Sequence, residues 1–552
     1  MPPSHKILVL CLTRMGDIIQ SIPFFRRLRG SRPDAEIHVL VEKCFGDVIR
    51  MVPGVDAIHE IRLEDLLPDL EQGRNGNVPK ATTYYRNLVE NLKRENYSEV
   101  WNLTHTRPSM VLNYLLAAEH GRGVTLDRHG LQRVNSPWLS YFFATNLARP
   151  WCQFNLADIY ANCIDEAEWE TGRSIRIAQS DIKRDHPLSC VSSRIRIAIH
   201  PGASQDDKRW SVESYRQLAR RLLQRGDVEI VIVAGKRDVE LGRKFEGIEG
   251  IVNLAGQTNV PDLASVLANC RLLVSNDSGP MHVAAAVGTP VLDITVGSAL
   301  ASETAPYGEN HVVVEPESAC FPCSSRNPCS SELCGSRITP QVVLRLCEWM
   351  LGLRGIPQPQ ELAHCRVYRT GFSEEDGLLE LRRIGATQEY ARDEIHRQVR
   401  PFWLSIMSNR SLPKKLREIY ADRELVEQAQ KALPITQNAV RLALDLAQAA
   451  EGNRYTTDIR DLAGRLAEWE QTLFGLLHGE SVLGSFLAYV HIERGSLSGE
   501  TIAEQARETA EIYRRLGMLL GAFVPPTKSQ PDDNNTQIVL IEDDHENHAQ
   551  WS

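Results

Sequence analysis

"LLVSNDSGPMHVAAAVGTPVL", residues 272–292, decides the architecture. An apolar strand ends at Asn276. A tight junction follows at Asp277, Ser278 and Gly279, a helix opens near Pro280, and a new apolar run begins at Pro290. Strand, short loop, helix, strand is the unit of a parallel sheet with helical crossovers. Proline suits a first helical turn, because its missing N–H is one the helix start leaves unpaired. The small residues of "AAAVG" let such a helix lie close on its sheet. The same rhythm runs through the first two thirds of the chain. Segments 6–12, 36–41 and 98–103 predict strands, with helices over 17–29 and 83–95. A second set predicts strands at 195–199, 228–234, 271–275 and 290–295, with helices at 212–225 and 261–269. The pattern breaks over 179–194. Two doubly wound α/β halves, 1–180 and 181–355, are therefore expected, with a ligand cleft between them.

The chain has 552 residues, 42% hydrophobic and 24% charged, which suits two to four globular domains. Its net charge of −9 argues against an overall nucleic-acid binder. The N-terminal apolar run is short and flows into the first α/β unit, so it reads as a strand, not a signal peptide. No run of 18 apolar residues predicts a membrane-spanning helix. A cytoplasmic protein is expected, its 12 cysteines mostly reduced. From about residue 356 the chain turns rich in Leu, Ala, Glu, Arg and Gln at helical spacing. Segments 378–400, 412–432, 436–451, 457–478 and 499–520 predict a separate all-helical domain over 356–525. The tail 526–552 has six acidic residues and one lysine, and predicts disorder. Its "IVLI" (538–541) suits addition to a sheet edge.

Three stretches carry chemistry. In "VLCLTRMGDIIQSIP" (9–23), Gly16 allows a close backbone approach and Asp17 falls at or near a helix N-cap. Asp17 can cap that helix; ionised by the helix field, it can equally serve as a base toward a sugar hydroxyl. Arg14 beside it can hold an anionic acceptor or stand in solvent. In "IAIHPGASQDDKRW" (197–210), the Pro-Gly turn, Ser204 and Lys208 can bind phosphate through amides and a cation, or form an ordinary connection. In 272–292, the helix start suits a diphosphate and Asp277 suits sugar hydroxyls. His282 is either a ligand contact or a buried neutral ring. The chain has no G-x-G-x-x-G, no G-x-x-x-x-G-K-[ST] and no D-x-D. A metal-bridged diphosphate is therefore not expected. Lys208, Ser278 and the helix N-terminus are left to neutralise a leaving group.

Together "TRMGDIIQSIPFFRRLR" (13–29), "HPGAS…KRW" (200–210), "VNLAGQTNVPDLASVLANC" (252–270) and "SNDSGPMHVAAAVGTPVL" (275–292) resemble glycosyltransferase family 9, the ADP-heptose:lipopolysaccharide heptosyltransferases. The resemblance covers roughly residues 5–350. It implies the GT-B fold, with acceptor on the first half and nucleotide sugar on the second. It implies direct, inverting transfer of a heptose-like sugar to lipopolysaccharide core, another envelope glycan or a protein. Asp17 would be the base and Arg14 would face the acceptor. Ser204 and Lys208 would contact the diphosphate, and Asp277, Ser278, Gly279 and His282 would cradle diphosphate and sugar. Thr258 would lie near the nucleoside. The chain departs from the family at "AGKRD" (234–238), where well-studied members have an acidic residue after the strand's glycine, which leaves the donor base open.

Cys320, Cys323, Cys329 and Cys334 have the spacing C-x2-C-x5-C-x4-C. Four thiolates this close can surround a structural zinc or iron, or stand unligated in a loop. Catalysis itself is expected to need no metal. Competing readings are a GT-B epimerase or hydrolase, and a non-catalytic nucleotide-sugar scaffold. The helical extension could dock an acceptor protein, oligomerise, or sit peripherally on the inner membrane, although no basic amphipathic helix stands out.

Overall fold

The computed structural model describes residues 5–62, 78–117, 121–146, 148–164, 174–177, 188, 193–318, 320–323, 333–385, 391–408, 423–452, 456–477 and 481–524. Six strands make the first sheet: β1 (Lys6–Cys11), β2 (Glu36–Glu42), β3 (Ala57–Ile61), β4 (Glu99–Asn102), β5 (Arg122–Leu126) and β6 (Gln132–Val134). Their order is β3-β2-β1-β4-β5-β6, parallel except for β6. β1 and β2 are buried along nearly their whole length, as strands covered by helices on both faces must be.

The second sheet holds β7 (Ile195–His200), β8 (Val228–Ile232), β9 (Ile251–Asn253), β10 (Leu272–Asn276), β11 (Val291–Ile294), β12 (Val312–Pro316), β13 (Cys365–Phe372) and β14 (Leu379–Ile384). The order is β14-β13-β12-β11-β10-β7-β8-β9. Strands β7 to β12 thus repeat the 3-2-1-4-5-6 winding of dinucleotide-type sheets, and the first sheet follows the same winding from β1 to β5. Each sheet reverses direction at one place, between β1 and β4 and between β7 and β10. Loops leaving the carboxyl ends of those strands open into a crevice, and the sequence puts its three chemical stretches there. The two α/β halves of the GT-B expectation are present. The junction over 179–194 lies mostly outside the described residues.

Two boundaries differ from expectation. The helix expected over 17–29 is two helices, Met15–Gln20 and Ile22–Ser31, broken where Pro23 has no N–H to give. The second half does not end at 355. Strands β13 and β14 add antiparallel to the β12 edge, so 378–400 is a strand followed by a helix. Pairing with that edge buries Val367 and Tyr368, and this outweighs a leucine spacing that also suits a helix. The helical region begins at Ala391.

Its described helices are Ala391–Met407, Arg423–Glu451, Thr456–Leu476, Val482–Gly495 and Ile502–Phe523. The second runs through Pro434 where a break was expected, and Val482–Gly495 was not foreseen. Residues 526–552, with "IVLI", lie outside the described residues. The helices do not form a separate body. Trp403 is fully buried, stacked 3.9 Å from Phe486 and edge-on to Tyr141 of the first half at 4.8 Å. Ser496 Oγ accepts the Val134 N–H at 2.9 Å, which covers the free edge of β6. Helix Ala391–Met407 touches both halves. His396 Nε2 lies 3.1 Å from the Pro150 carbonyl, and Arg400 Nε donates to Asp376 of the β13–β14 turn at 2.6 Å. No described helix is long and apolar enough to cross a membrane.

Trp403→Ala should cost about 3–5 kcal/mol, the usual range for a buried aromatic cut to alanine, read as an earlier midpoint in urea. An unchanged midpoint would mean that the helices and the first half unfold independently.

Candidate active site

Asp17 is the third residue of helix Met15–Gln20, near the cap as expected, in a capping box. The cap residue is Arg14, exposed at the rim, whose N–H points back to Asp17 Oδ2 at 3.4 Å. Burial pushes the Asp17 carboxyl up to about 6, with smaller contributions from the carboxylates of Glu303 and Asp277. Desolvation therefore outweighs the helix field that was expected to keep this carboxylate strongly acidic.

Helix Met15–Gln20 meets helix Gly279–Val287 of the other half, and two glycines permit the contact. A Cβ on Gly16 would stand 2.7 Å from His282 Cδ2, and a Cβ on Gly279 would overlap the Met15 methyl. His282 is buried, and its Nδ1 has no hydrogen-bond partner among the described residues. Burial lowers its pKa to about 4, so the ring is neutral at pH 7 and able to accept or donate.

The loop after β7 reaches the same place. Lys208 Nζ lies 3.1 Å from Asp277 Oδ2, both largely buried. Asn276 fixes the loop: its Nδ2 donates to the Gly202 carbonyl at 2.9 Å, and its Oδ1 accepts the Trp210 N–H at 2.9 Å. Ser278 caps helix Gly279–Val287 in extended backbone, 3.1 Å from Ser275 Oγ. Opposite it, Asp293 of β11 is buried, with Oδ2 accepting from Thr295 at 2.9 Å. Burial and the Asp277 charge push its carboxyl well up, toward the neutral acid.

Asp17, Asp277, Lys208 and His282 thus converge, with Ser278 and Gly279 at the helix start between them. Ser204 is exposed on the same loop as Lys208. Thr258 stands farther out, in the turn after β9 and just before the cap residue Asn259. That turn packs on "AGKRD": a Cβ on Gly256 would lie 3.8 Å from Lys236 Cα. A Cβ on Gly202 would lie 2.5 Å from Asp238 Oδ2, so a carboxylate does line this end of the crevice, three residues beyond the glycine.

Several groups here gave no sequence signal. His105, at the end of β4, has its ring 4.4 Å from that of Phe142 and its Nε2 3.2 Å from Tyr160 Oη, and burial lowers its pKa to about 4. It sits across the first sheet's reversal from Asp17, in "NLTHTRP" (102–108), which has no recognisable pattern. Arg149 and Glu303 form an ion pair at 2.9 Å between the halves, 154 residues apart in sequence.

Of the cysteine cluster, Cys320 is exposed, Cys323 buried and Cys334 half-buried; Cys329 lies outside the described residues. No three His, Cys, Asp or Glu side chains among the described residues are grouped to hold a metal ion. A four-thiolate site would therefore depend on Cys329.

Comparison with known proteins gives a consistent family. Residues 85–333 match the family model "Glycosyltransferase family 9 (heptosyltransferase)". Lipooligosaccharide heptosyltransferase 2 of Haemophilus ducreyi is 34% identical over 146 residues, 25% of this chain and 42% of that protein. Lipopolysaccharide heptosyltransferase 2 of Salmonella typhimurium is 24% identical over 316 residues, covering 52% of this chain and 81% of its own length. Among solved structures, E. coli ADP-heptose lps heptosyltransferase II covers 63% of this chain and 98% of its own, at 21% identity and a TM-score of 0.46.

Asp17 gives a stability signature. Its carboxyl ordinarily titrates at 3.8 and in the fold at about 6. The native state holds that proton more tightly, so it loses stability as pH rises from about 4 through about 6. Asp17→Asn removes this loss. Its melting temperature relative to wild type should rise between pH 4 and pH 7.5; a constant difference would refute the raised pKa.

Proposed function

We propose that the chain, whose residues 85–333 match the glycosyltransferase family 9 model, is an inverting heptosyltransferase using ADP-heptose. The acceptor would be lipopolysaccharide core, another envelope glycan or a protein. The observation that carries this reading is the approach of Asp17 on the first half to His282, Asp277 and Lys208 on the second. A base from one half then faces a diphosphate cradle on the other.

In this reading the acceptor hydroxyl attacks the anomeric carbon and gives its proton to Asp17. The bond from that carbon to the diphosphate oxygen breaks, and the nucleoside diphosphate leaves with the electron pair. Lys208 and the N-terminus of helix Gly279–Val287 take the growing negative charge. Lys208, which Asp277 holds in place, would turn to phosphate when the donor binds. The neutral His282 ring offers a hydrogen bond at the junction without adding charge. A base titrating near 6 is ionised at pH 7–8 yet still basic enough to accept a hydroxyl proton in the transition state. Ser204 would contact phosphate, Thr258 and Asp238 the nucleoside, and Arg14 an anionic acceptor. The lipopolysaccharide acceptor is supported by the relatives, which are named lipopolysaccharide and lipooligosaccharide heptosyltransferases. We read the cysteine cluster as a structural metal site, to be tested by metal analysis of the purified protein and of Cys323→Ser.

Donor binding by calorimetry, with ADP-heptose and ADP-, UDP- and GDP-sugars, tests the proposal on wild type and Asp17→Asn. ADP-heptose should bind both within about twofold, while turnover falls about 10²–10⁴-fold in the variant, the usual worth of a general base. In wild type, kcat should rise with pH through about 6. Donor release that needs no acceptor would favour a hydrolase, and binding without turnover would favour a scaffold.

A further inference from the structure

The diphosphate loop is held from across the crevice. Arg149 lies in a short turn, Arg149–Trp151, of the first half, between helices Pro137–Thr145 and Leu156–Ala161. Its Nη1 donates to the Ser298 carbonyl of the second half at 2.6 Å. Its Nε and Nη2 both reach Glu303 Oε2, at 3.2 and 2.9 Å. The guanidinium is largely buried and uses its fork on a carbonyl and a carboxylate together, which a lysine cannot copy.

Ser298 is in turn the fixed point for the loop of Lys208. Its N–H donates to Asp207 Oδ2 at 3.0 Å, and its Oγ lies 3.3 Å from Gln205 Oε1. Beside it, Gly297 has φ +64°, and a Cβ there would overlap the Asp207 carbonyl. The backbone of 297–298 is therefore pressed against residues 205–207, and Lys208 follows directly, reaching Asp277. The turn that holds Arg149 is itself braced from the C-terminal helices, with His396 Nε2 at the Pro150 carbonyl and its ring 5.7 Å from that of Trp151.

We infer that Arg149 is a positioning residue for the donor. It fixes Ser298, and through Asp207 the loop that presents Lys208 to the diphosphate. This rests on the transferase reading above. Arg149 itself touches neither the proposed base nor the proposed cradle. Its main effect is therefore expected on donor affinity, with a smaller one on Asp17 through the Glu303 carboxylate that it pairs. It also gives the C-terminal helices a part in the reaction, since they hold the turn from which Arg149 reaches.

The test is calorimetric binding of ADP and of ADP-heptose, with steady-state kinetics, on full-length wild type, Arg149→Gln, Arg149→Lys and Asp207→Ala. Donor Kd and KM should rise about tenfold or more in Arg149→Gln, with acceptor KM unchanged, while the kcat inflection moves above about 6 because Glu303, which already raises Asp17, loses its cation. Arg149→Lys, which keeps one contact, should fall between. Asp207→Ala alters only the loop side and should raise donor KM in the same way, so the inference stays testable if Arg149→Gln does not fold. Equal donor affinity in wild type and a folded Arg149→Gln, or in wild type and Asp207→Ala, would overturn it. Failure of wild type to bind either nucleotide would instead overturn the function proposed above, and this inference with it.

Discussion

Two helices from opposite halves approach closely because each presents a glycine to the other. Gly16 leaves room for the His282 ring, and Gly279 leaves room for the Met15 side chain. A larger residue at position 16 would press on the buried His282 ring, and one at 279 would displace the Met15 methyl. The proposed chemistry depends on that gap, since a base on one sheet and a cradle on another work only at hydrogen-bond range. The raised pKa of Asp17 has the same origin. The facing half takes water from the carboxyl and adds the carboxylates of Asp277 and Glu303 nearby.

The second half is tied together by groups with one available partner. Asn276 bonds in two directions to residues 201–210, which sets the loop of Lys208 against the end of β10. The Lys208–Asp277 contact holds a cation at the end of β10 without exposing it. A buried ion pair of this kind adds little net stability, because desolvation offsets most of the attraction. Its value lies in placement. In the proposed reaction a diphosphate would find the cation already oriented and compete with one carboxylate for it.

The sequence showed the alternating strands and helices and the three chemical stretches, because each is a local pattern. Four buried residues before a turn predict a strand wherever they occur, and "NDSGPMH" joins strand end to helix start within seven residues. Strand β14 falls in 378–400, expected as helix because its leucines suit either period, and only pairing with β13 decides. Docking of the helical region through Trp403 was equally hidden, since Tyr141 and Phe486 are far from it in sequence. His105, Arg149, Glu303 and Ser298 belong to the site's surroundings through contacts made over long separations. No spacing rule finds such partners; their side chains are of common type and their neighbours are supplied by the fold. The position of Asp17 was legible, but the balance of desolvation against the helix field was not, because it depends on what covers the loop.

The chain passes between the two halves twice. It leaves the first half after Ile164 and enters β7 at Ile195; after β14 it leaves the second half and returns, through helix Ala391–Met407, to pack on Tyr141, Pro150 and Gln153. Asp158 of the first half adds a fixed point there, accepting from Tyr307 Oη and from the Leu379 N–H, both of the second half. Two bodies joined by one strap can twist and roll against each other. Joined by two and pinned by these bonds, the halves have their register set from both sides of the crevice, so the extra helices act as a brace on the alignment of the two sheets.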